Sequence, residues 1–296
     1  MEPRTPIMLV TGSLGSGKTT LLQRILNGTG RRIAVLMNEF GEIAIDSKVL
    51  VGENVQIVEL AGGCVCCELT GEFEAAVREI VGTVRPEYIV VEATGVAESD
   101  ALAYEVEDNI PEVRLDSVVC IVDAYLGTKH PQIGHTARTH LKAADVVLVN
   151  KIDLVGAEDV HKVEAEVRKY NDRALLLKTV GCDVDVDLLL GVTTGGERSF
   201  PRERTGATTP LESFSFTTDR LLDMECFQSA ISRLPETIYR AKGFVRFYGG
   251  TFLFNYVTGR VDLEEFSADT TQLVFIGREI GKIREEIMGR LSDCLV

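Results

Sequence analysis

Residues 11–20 read TGSLGSGKTT, directly after the apolar run IMLV and directly before a helical stretch. A strand that stops in a glycine-rich loop and restarts as a helix, with the spacing G-x-x-x-x-G-K-[ST], restricts the chain to a nucleotide-binding α/β unit. Gly12, Gly15 and Gly17 let backbone N–H groups approach phosphate oxygens, and the helix N-terminus adds its positive dipole. Lys18 is placed to neutralise β- and γ-phosphates, as the catalytic cation, and the Thr19 hydroxyl to ligate Mg²⁺. Ser16 and Thr20 complete the stretch expected to touch the nucleotide. The competing reading is a Gly-rich strand-to-helix turn without a ligand.

The rest of the first two-thirds agrees with that restriction. Apolar runs RIAVLMN, QIVEL, YIVVEATG, SVVCIVDA, DVVLVN and ALLLKTV alternate with stretches of helical periodicity, the pattern of a largely parallel sheet with helices on its faces. In EDVHKVEAEVRKY, Val160, Val163, Val167 and Tyr170 recur at helical spacing, which predicts one buried stripe and a wet charged face. The apolar pattern lapses into Gly, Thr, Arg and Pro across 191–210, as a linker does. Beyond it LESFSF, GFVRFYG, TFLFNYV and QLVFIG read as strands, with Phe252, Phe254 and Tyr256 on one face, and 221–233 and 277–291 read as helices. The expected architecture is an α/β nucleotide-binding domain over 1–195, a linker over 196–207 and a small α+β domain over 208–296.

Composition narrows the partners. With 31 Lys+Arg against 45 Asp+Glu the net charge is −14, which opposes nonspecific attraction to nucleic acid and to anionic membranes. No apolar run approaches the roughly 20 residues that span a bilayer, and MEPRTPIMLVTGS enters a strand-like stretch at once. A cytoplasmic location with reduced thiols is therefore expected.

Two further strand ends carry chemistry. VVLVNKID ends in N-K-x-D: Asp153 can accept from both the N1–H and the 2-amino group of guanine, a donor pair that adenine lacks, while Asn150 and Lys151 hold the loop and cover the base. ALLLKTVG ends where a further base-contacting loop is expected, at Val180, with Cys182 beside it as packing. YIVVEATG ends in E-x-x-G, so Glu92 stands where an Asp is usual and can reach a Mg²⁺ shell through water, and Gly95 can turn its N–H toward a γ-phosphate; a capping acidic turn is the alternative.

Three of the seven cysteines crowd into ELAGGCVCC, as Cys64, Cys66 and Cys67. Three soft thiolates suit Zn²⁺, Cu(I) or similar ions better than Mg²⁺, and fewer than four ligands imply either an open coordination position or a fourth donor from elsewhere. A buried reduced cluster and a redox pair are the competing readings, although a disulfide between the adjacent Cys66 and Cys67 would be strained. Cys120, inside SVVCIVDA, reads as core, and Cys226 and Cys294 belong to no motif. His130, His135 and His140 recur every fifth residue, which drifts around a helix, so surface positions are expected.

Taken in order, GSLGSGKTTLL, MNEFGEIAID, ELAGGCVCC, VEATG and NKID resemble the CobW family of P-loop GTPases, and YRAKGFVRF and LVFIG resemble its small C-terminal domain. The resemblance covers nearly the whole chain. It implies a GTPase that uses GTP and Mg²⁺ and handles a transition metal, zinc or cobalt, for delivery to a client protein or cofactor pathway. Glu39 and Glu42 then fall in a segment resembling switch I, as candidate metal ligands beside the cysteines, and Asp46, at the end of the same segment, is a candidate Mg²⁺-shell or water-positioning carboxylate, with a solvated loop acid as the competing reading. Tyr125 stands where relatives often carry a histidine. No arginine finger is identifiable, so slow hydrolysis raised by a partner or by a nucleotide-dependent homodimer is expected. A nucleotide-gated sensor or scaffold, and a P-loop kinase or ATPase, are the alternatives.

Overall fold

In the computed structural model the described residues are 4–37, 55–59, 69–93, 106, 109–130, 134–190, 211–266 and 268–296. They divide into two compact units, Arg4–Val186 and a second from Asp187 to Val296. The first holds β1 (Thr5–Gly12), β2 (Ile33–Met37), β3 (Val55–Glu59), β4 (Tyr88–Glu92), β5 (Val113–Asp123), β6 (Val146–Asn150) and β7 (Leu175–Thr179). All pair in parallel, in the order β3-β2-β4-β1-β5-β6-β7. The helices between them are α1 (Lys18–Gly28), α2 (Leu69–Thr83), α3 (Ala124–Lys129), α4 (His135–Ala143) and α5 (Ala157–Arg168); α6 (Val186–Leu190) begins where the first unit ends.

A parallel strand covered on both faces has no polar side to show. Accordingly β4 and β6 are buried at every position. Phe73, Val77 and Ile80 of α2 join Ile7, Leu9, Ile89 and Val91 in one core cluster. Val163 and Val167 of α5 and Leu141 of α4 join Cys120, Val147 and Val149 in another. The valine stripe read at 160–167 is thus buried, with Tyr170 packed at its margin. Because all the strands run one way, their carboxyl ends share one edge of the sheet. Register places Asp123 beside Asn150 and Asn150 beside Thr179, with Gly12 beside Ile121 and Glu92 beside Val10.

The second unit holds β8 (Leu211–Thr218), α7 (Met224–Ser232), β9 (Ile238–Phe247), β10 (Gly250–Val257), β11 (Arg260–Phe266), β12 (Thr271–Arg278) and α8 (Arg284–Asp293). Its strands are antiparallel in the order β11-β10-β9-β12-β8. Here one face alone is deeply buried, so β9 and β12 alternate along most of their length. Phe214, Phe227, Phe247, Phe254 and Phe275 form its centre, with Tyr256 buried and Phe252 packed alongside, the face expected from their spacing.

Three expectations need correction, and one strand is added. β11 is not among the strands read from the sequence, and β10 pairs it along its whole length. The helix read over 277–291 starts only at Arg284, because Gly277 and Arg278 still pair with Glu212 and Leu211 and a 3₁₀ turn, Ile280–Lys282, intervenes. Cys226 and Cys294 are joined in a disulfide across 68 residues, with Cα atoms 5.4 Å apart. A pairing between two helices that meet only in the folded sheet leaves no trace in local sequence. Finally His140 is buried, while His130 and His135 are exposed. The expected linker, 196–207, lies outside the described residues.

Candidate nucleotide-binding site

β1 ends in a loop whose backbone only glycine fits at two places. Gly12 has φ +141° and a Cβ there would lie 2.5 Å from the Ile121 carbonyl oxygen; Gly17 has φ +122° and a Cβ would lie 2.6 Å from Asn150 Nδ2. Ser16 N–H donates to Ser13 O at 3.1 Å, which closes the turn. α1 then starts at Lys18 with no side-chain cap and no acidic residue in its first turn, so its first amides and dipole are available to an anion.

Lys18 is buried, 6% exposed. Its ammonium donates to Gly12 O at 3.2 Å and Ser13 O at 3.3 Å and lies 3.8 Å from Glu92 Oε1 at the end of β4. A cation held by the loop's own carbonyls, with a buried carboxylate opposite, is mounted where phosphate charge would be met. The Ser16 hydroxyl is buried in the same loop with no hydrogen-bond partner among the described residues. Thr19 is half-buried, and Thr20, Gly15 and Leu14 are exposed along the loop and first turn.

The next strand ends join this loop through one amide. Asn150 Nδ2 donates to Ser16 O at 2.9 Å, and its Oδ1 accepts from Thr179 Oγ1 at 3.1 Å and from Cys182 N at 2.9 Å. An Asn side chain offers two donors and an oxygen that can accept twice, and here three of these four bonds tie the phosphate loop to β6 and to the loop after β7. Lys151 adopts φ +61° and its Nζ lies 2.6 Å from Asp123 Oδ2. Asp123 also caps α3 by accepting from Leu126 N at 3.0 Å. Asp153 sits exposed in the 3₁₀ turn Ile152–Leu154 that follows, and Val180 is 48% exposed after β7.

Asp123, Thr179, Cys182 and Arg24 were not identified as site residues from sequence. Arg24 Nε donates to Gly181 O at 2.5 Å and its Nη1 to Asp183 Oδ1 at 2.9 Å. Cys182 is fully buried and its thiol donates to Gly17 O at 3.4 Å. Burial pushes this thiol up to about 12, against the pull of Arg24 and Lys151. It is a packing group, not a nucleophile. Strand order, which sets β5, β6 and β7 side by side, brings Asp123, Thr179 and Cys182 to the site, and Arg24 reaches it from α1.

Glu39, Glu42, Asp46, Cys64, Cys66, Cys67 and Gly95 lie outside the described residues. Tyr125 is 43% exposed, with Lys129 over its ring at 5.5 Å.

Comparison with known proteins extends the geometry. The family model for the CobW/HypB/UreG nucleotide-binding domain matches residues 6–178, and that for the cobalamin synthesis protein cobW C-terminal domain matches 211–295. A zinc chaperone, YjiA, from Escherichia coli (strain K12) is 32% identical over 192 residues, which cover 62% of this chain and 60% of that one. A zinc chaperone, CobW, from Pseudomonas aeruginosa is 33% identical over 232 residues, covering 66% and 61%. The zinc-regulated GTPase metalloprotein activator 1 of Dictyostelium discoideum is 27% identical over 228 residues, covering 63% and 48%. The match to these relatives thus spans less than two thirds of their lengths. The crystal structure of Zn(II)-bound YjiA GTPase from E. coli aligns over 99% of this chain and 100% of that one, at 24% identity and a TM-score of 0.48. The strand order, the glycine loop and these two family matches together establish that the chain belongs to the CobW/HypB/UreG family, with a CobW-type C-terminal domain.

Proposed function

We propose that this protein is a GTP-hydrolysing metal chaperone, with Zn²⁺ as the foremost cargo and Co²⁺ as the alternative ion, whose nucleotide state governs transfer to a metal-dependent client. The observation that carries the nucleotide half is the Asn150 junction, which ties a phosphate loop to the N-K-x-D turn across 2.9 Å. The metal half is supported by the names of the relatives and by the thiolate chemistry of Cys64, Cys66 and Cys67, with Glu39 and Glu42 as hard donors.

In this reading the amides of 12–17 and the α1 dipole bind phosphate oxygens, and Lys18 exchanges loop carbonyls for the β- and γ-phosphates. Thr19 and, through water, Glu92 offer the hard oxygen donors that Mg²⁺ selects, so this donor set fits that ion. When bound there, Mg²⁺ would supply charge neutralisation to the phosphates. Asp153 accepts from the guanine edge, the Lys151 stem, fixed by Asp123, covers one face of the base, and Val180 lines the neighbouring loop. Asp46 and Gly95 are assigned to the water and γ-phosphate end, and a partner or a second copy raises a slow intrinsic rate. We place this activity in the cytoplasm; among the described residues no helix is long and apolar enough to cross a membrane.

Lys18→Ala is expected to lower GTP affinity by about 100-fold, near 2.7 kcal/mol, in nucleotide titrations. Asp153→Asn should narrow the preference for GTP over ATP. The linked test is Zn²⁺ titration of the reduced protein with and without a nonhydrolysable GTP analogue. Metal affinity must shift with nucleotide, and nucleotide affinity with metal, by the same factor. Equal wild-type affinity for ATP and GTP would remove the guanine assignment, and Zn²⁺ binding blind to nucleotide would remove the coupling.

A further inference from the structure

The loop after β7 is held in a conformation it would not choose. Gly181 has φ +55° and Cys182 φ +52°, two consecutive residues in the left-handed region, where a cysteine is uncommon. Parallel register sets Thr179 beside Asn150, so the residues that follow each, Val180 and Lys151, emerge side by side. Whatever fixes 180–183 therefore fixes one wall of the space beside Asp153. Cys182 is anchored by Asn150 and Gly17, both parts of the site already described. The residues flanking it, Gly181 and Asp183, are gripped by one side chain from elsewhere, Arg24.

We infer that Arg24 is a positioning residue for base selectivity: its guanidinium clamps Gly181 and Asp183 and holds the base-side loop in register with the phosphate loop. This rests on the guanine assignment of Asp153. The physical case begins with the helix. Lys18 opens α1 and Arg24 lies six residues on, about 9 Å along the same axis, so one rigid element carries the phosphate cation at its start and the loop clamp farther along. Arginine suits the task because its planar fork presents Nε to a carbonyl and Nη1 to a carboxylate at once; an ammonium has no such fork. The pair is 40% and 42% exposed, so it adds little to global stability. Its contribution is to loop geometry, which makes selectivity and folding separable by experiment.

The test is equilibrium titration of the full chain with GDP and with ADP, since ADP engages the phosphate loop without the guanine donor pair. In Arg24→Ala, GDP affinity should fall about tenfold, near 1.4 kcal/mol, while ADP affinity stays within about twofold. Arg24→Lys, which keeps the charge but loses the fork, should recover part of the GDP loss. A fall of equal factor for both nucleotides overturns the inference, because it would make Arg24 a support of α1 as a whole. An unchanged GDP affinity also overturns it. Should Arg24→Ala fail to fold, Arg24→Lys decides alone: a loss confined to GDP supports the clamp and a shared loss refutes it. A wild type that binds GDP and ADP equally removes the guanine assignment itself, and is recognised before any variant is measured.

Discussion

The two sheets of this chain place their unusual residues in opposite ways. At the carboxyl edge of the parallel sheet, strand ends present Gly12, Glu92, Asp123, Asn150 and Thr179, and beyond them come a buried Lys18, the first residue of α1, and left-handed Lys151 and Cys182. In the second unit the buried face of the antiparallel sheet meets its helices through rings, Phe227 of α7 against Phe247 and Phe254 of the sheet edge to face at 5.4 and 5.2 Å, and Cys226 of α7 is joined covalently to Cys294 after α8. The difference follows from pairing. Strands buried on both faces stabilise the first unit along their middles, which leaves their ends free to carry conformations and charges that cost energy. A sheet with one deeply buried face has only that face and its helices to hold it, and the second unit fills it with aromatic surface.

The largest expected effect tests whether that face stands apart from the nucleotide edge. Phe254 is fully buried among the rings, and Phe254→Ala should cost about 3–5 kcal/mol of unfolding free energy in urea denaturation. Nucleotide affinity at temperatures where the variant is folded should stay unchanged. A tenfold loss of GDP affinity in the folded variant would break the comparison, by showing that the ring face and the carboxyl edge respond as one.

The disulfide sharpens the same contrast. Cys226 lies in the first turn of α7 and Cys294 directly after α8, and the bond closes 68 residues of chain. Replacing both by Ser should cost about 2–4 kcal/mol, through the larger freedom of the unfolded chain. Reductant should lower the wild-type melting temperature and leave the Cys226→Ser/Cys294→Ser protein where it is. Equal sensitivity of both proteins to reductant would locate the redox effect in other cysteines.

Legibility divides along the same line. The parallel unit announced itself because an unbroken apolar run ending in glycine, acid or amide is a local signal, and IMLV, YIVVE and VVLVN each carry it. Lys18, Glu92, Asn150, Lys151 and Asp153 were therefore named from spacing alone. Their supports were not: Asp123 meets Lys151 across 28 residues, Cys182 meets Asn150 across 32, and Arg24 meets Gly181, beside Cys182, across 157, through contacts that exist only in the folded sheet. In the second unit β11 escaped because Asp262, Glu264 and Glu265 interrupt the apolar pattern, and pairing with β10 overrides composition there. The disulfide escaped for the reason Arg24 did.

The smallest effect concerns the thiols that remain free. Cys120 is 3% exposed in β5 and Cys182 is fully buried, and burial raises each from 9.0 to about 12, outweighing the Thr11 hydroxyl and Lys18 at the first and Arg24 and Lys151 at the second. The native state thus keeps protons that the unfolded chain gives up. Since unfolding stability changes with pH as the difference in protons bound, unfolded minus native, the contribution is complete below pH 9 and falls as pH rises toward 12. Each thiol adds at most about 1.4 kcal/mol per pH unit in that window. Cys226 and Cys294, being joined, add nothing. Urea denaturation at several alkaline pH values should give a steeper loss for wild type than for Cys182→Ala or Cys120→Ala, whatever the variants lose at neutral pH to the space left behind. The slope is the readout, and it separates burial from packing. If a variant keeps the full wild-type slope, its thiol ionises in the native state; for Cys182→Ala that outcome would mean that the junction between the phosphate loop and the base loop is open to solvent, in contrast to the buried ring face of the other sheet.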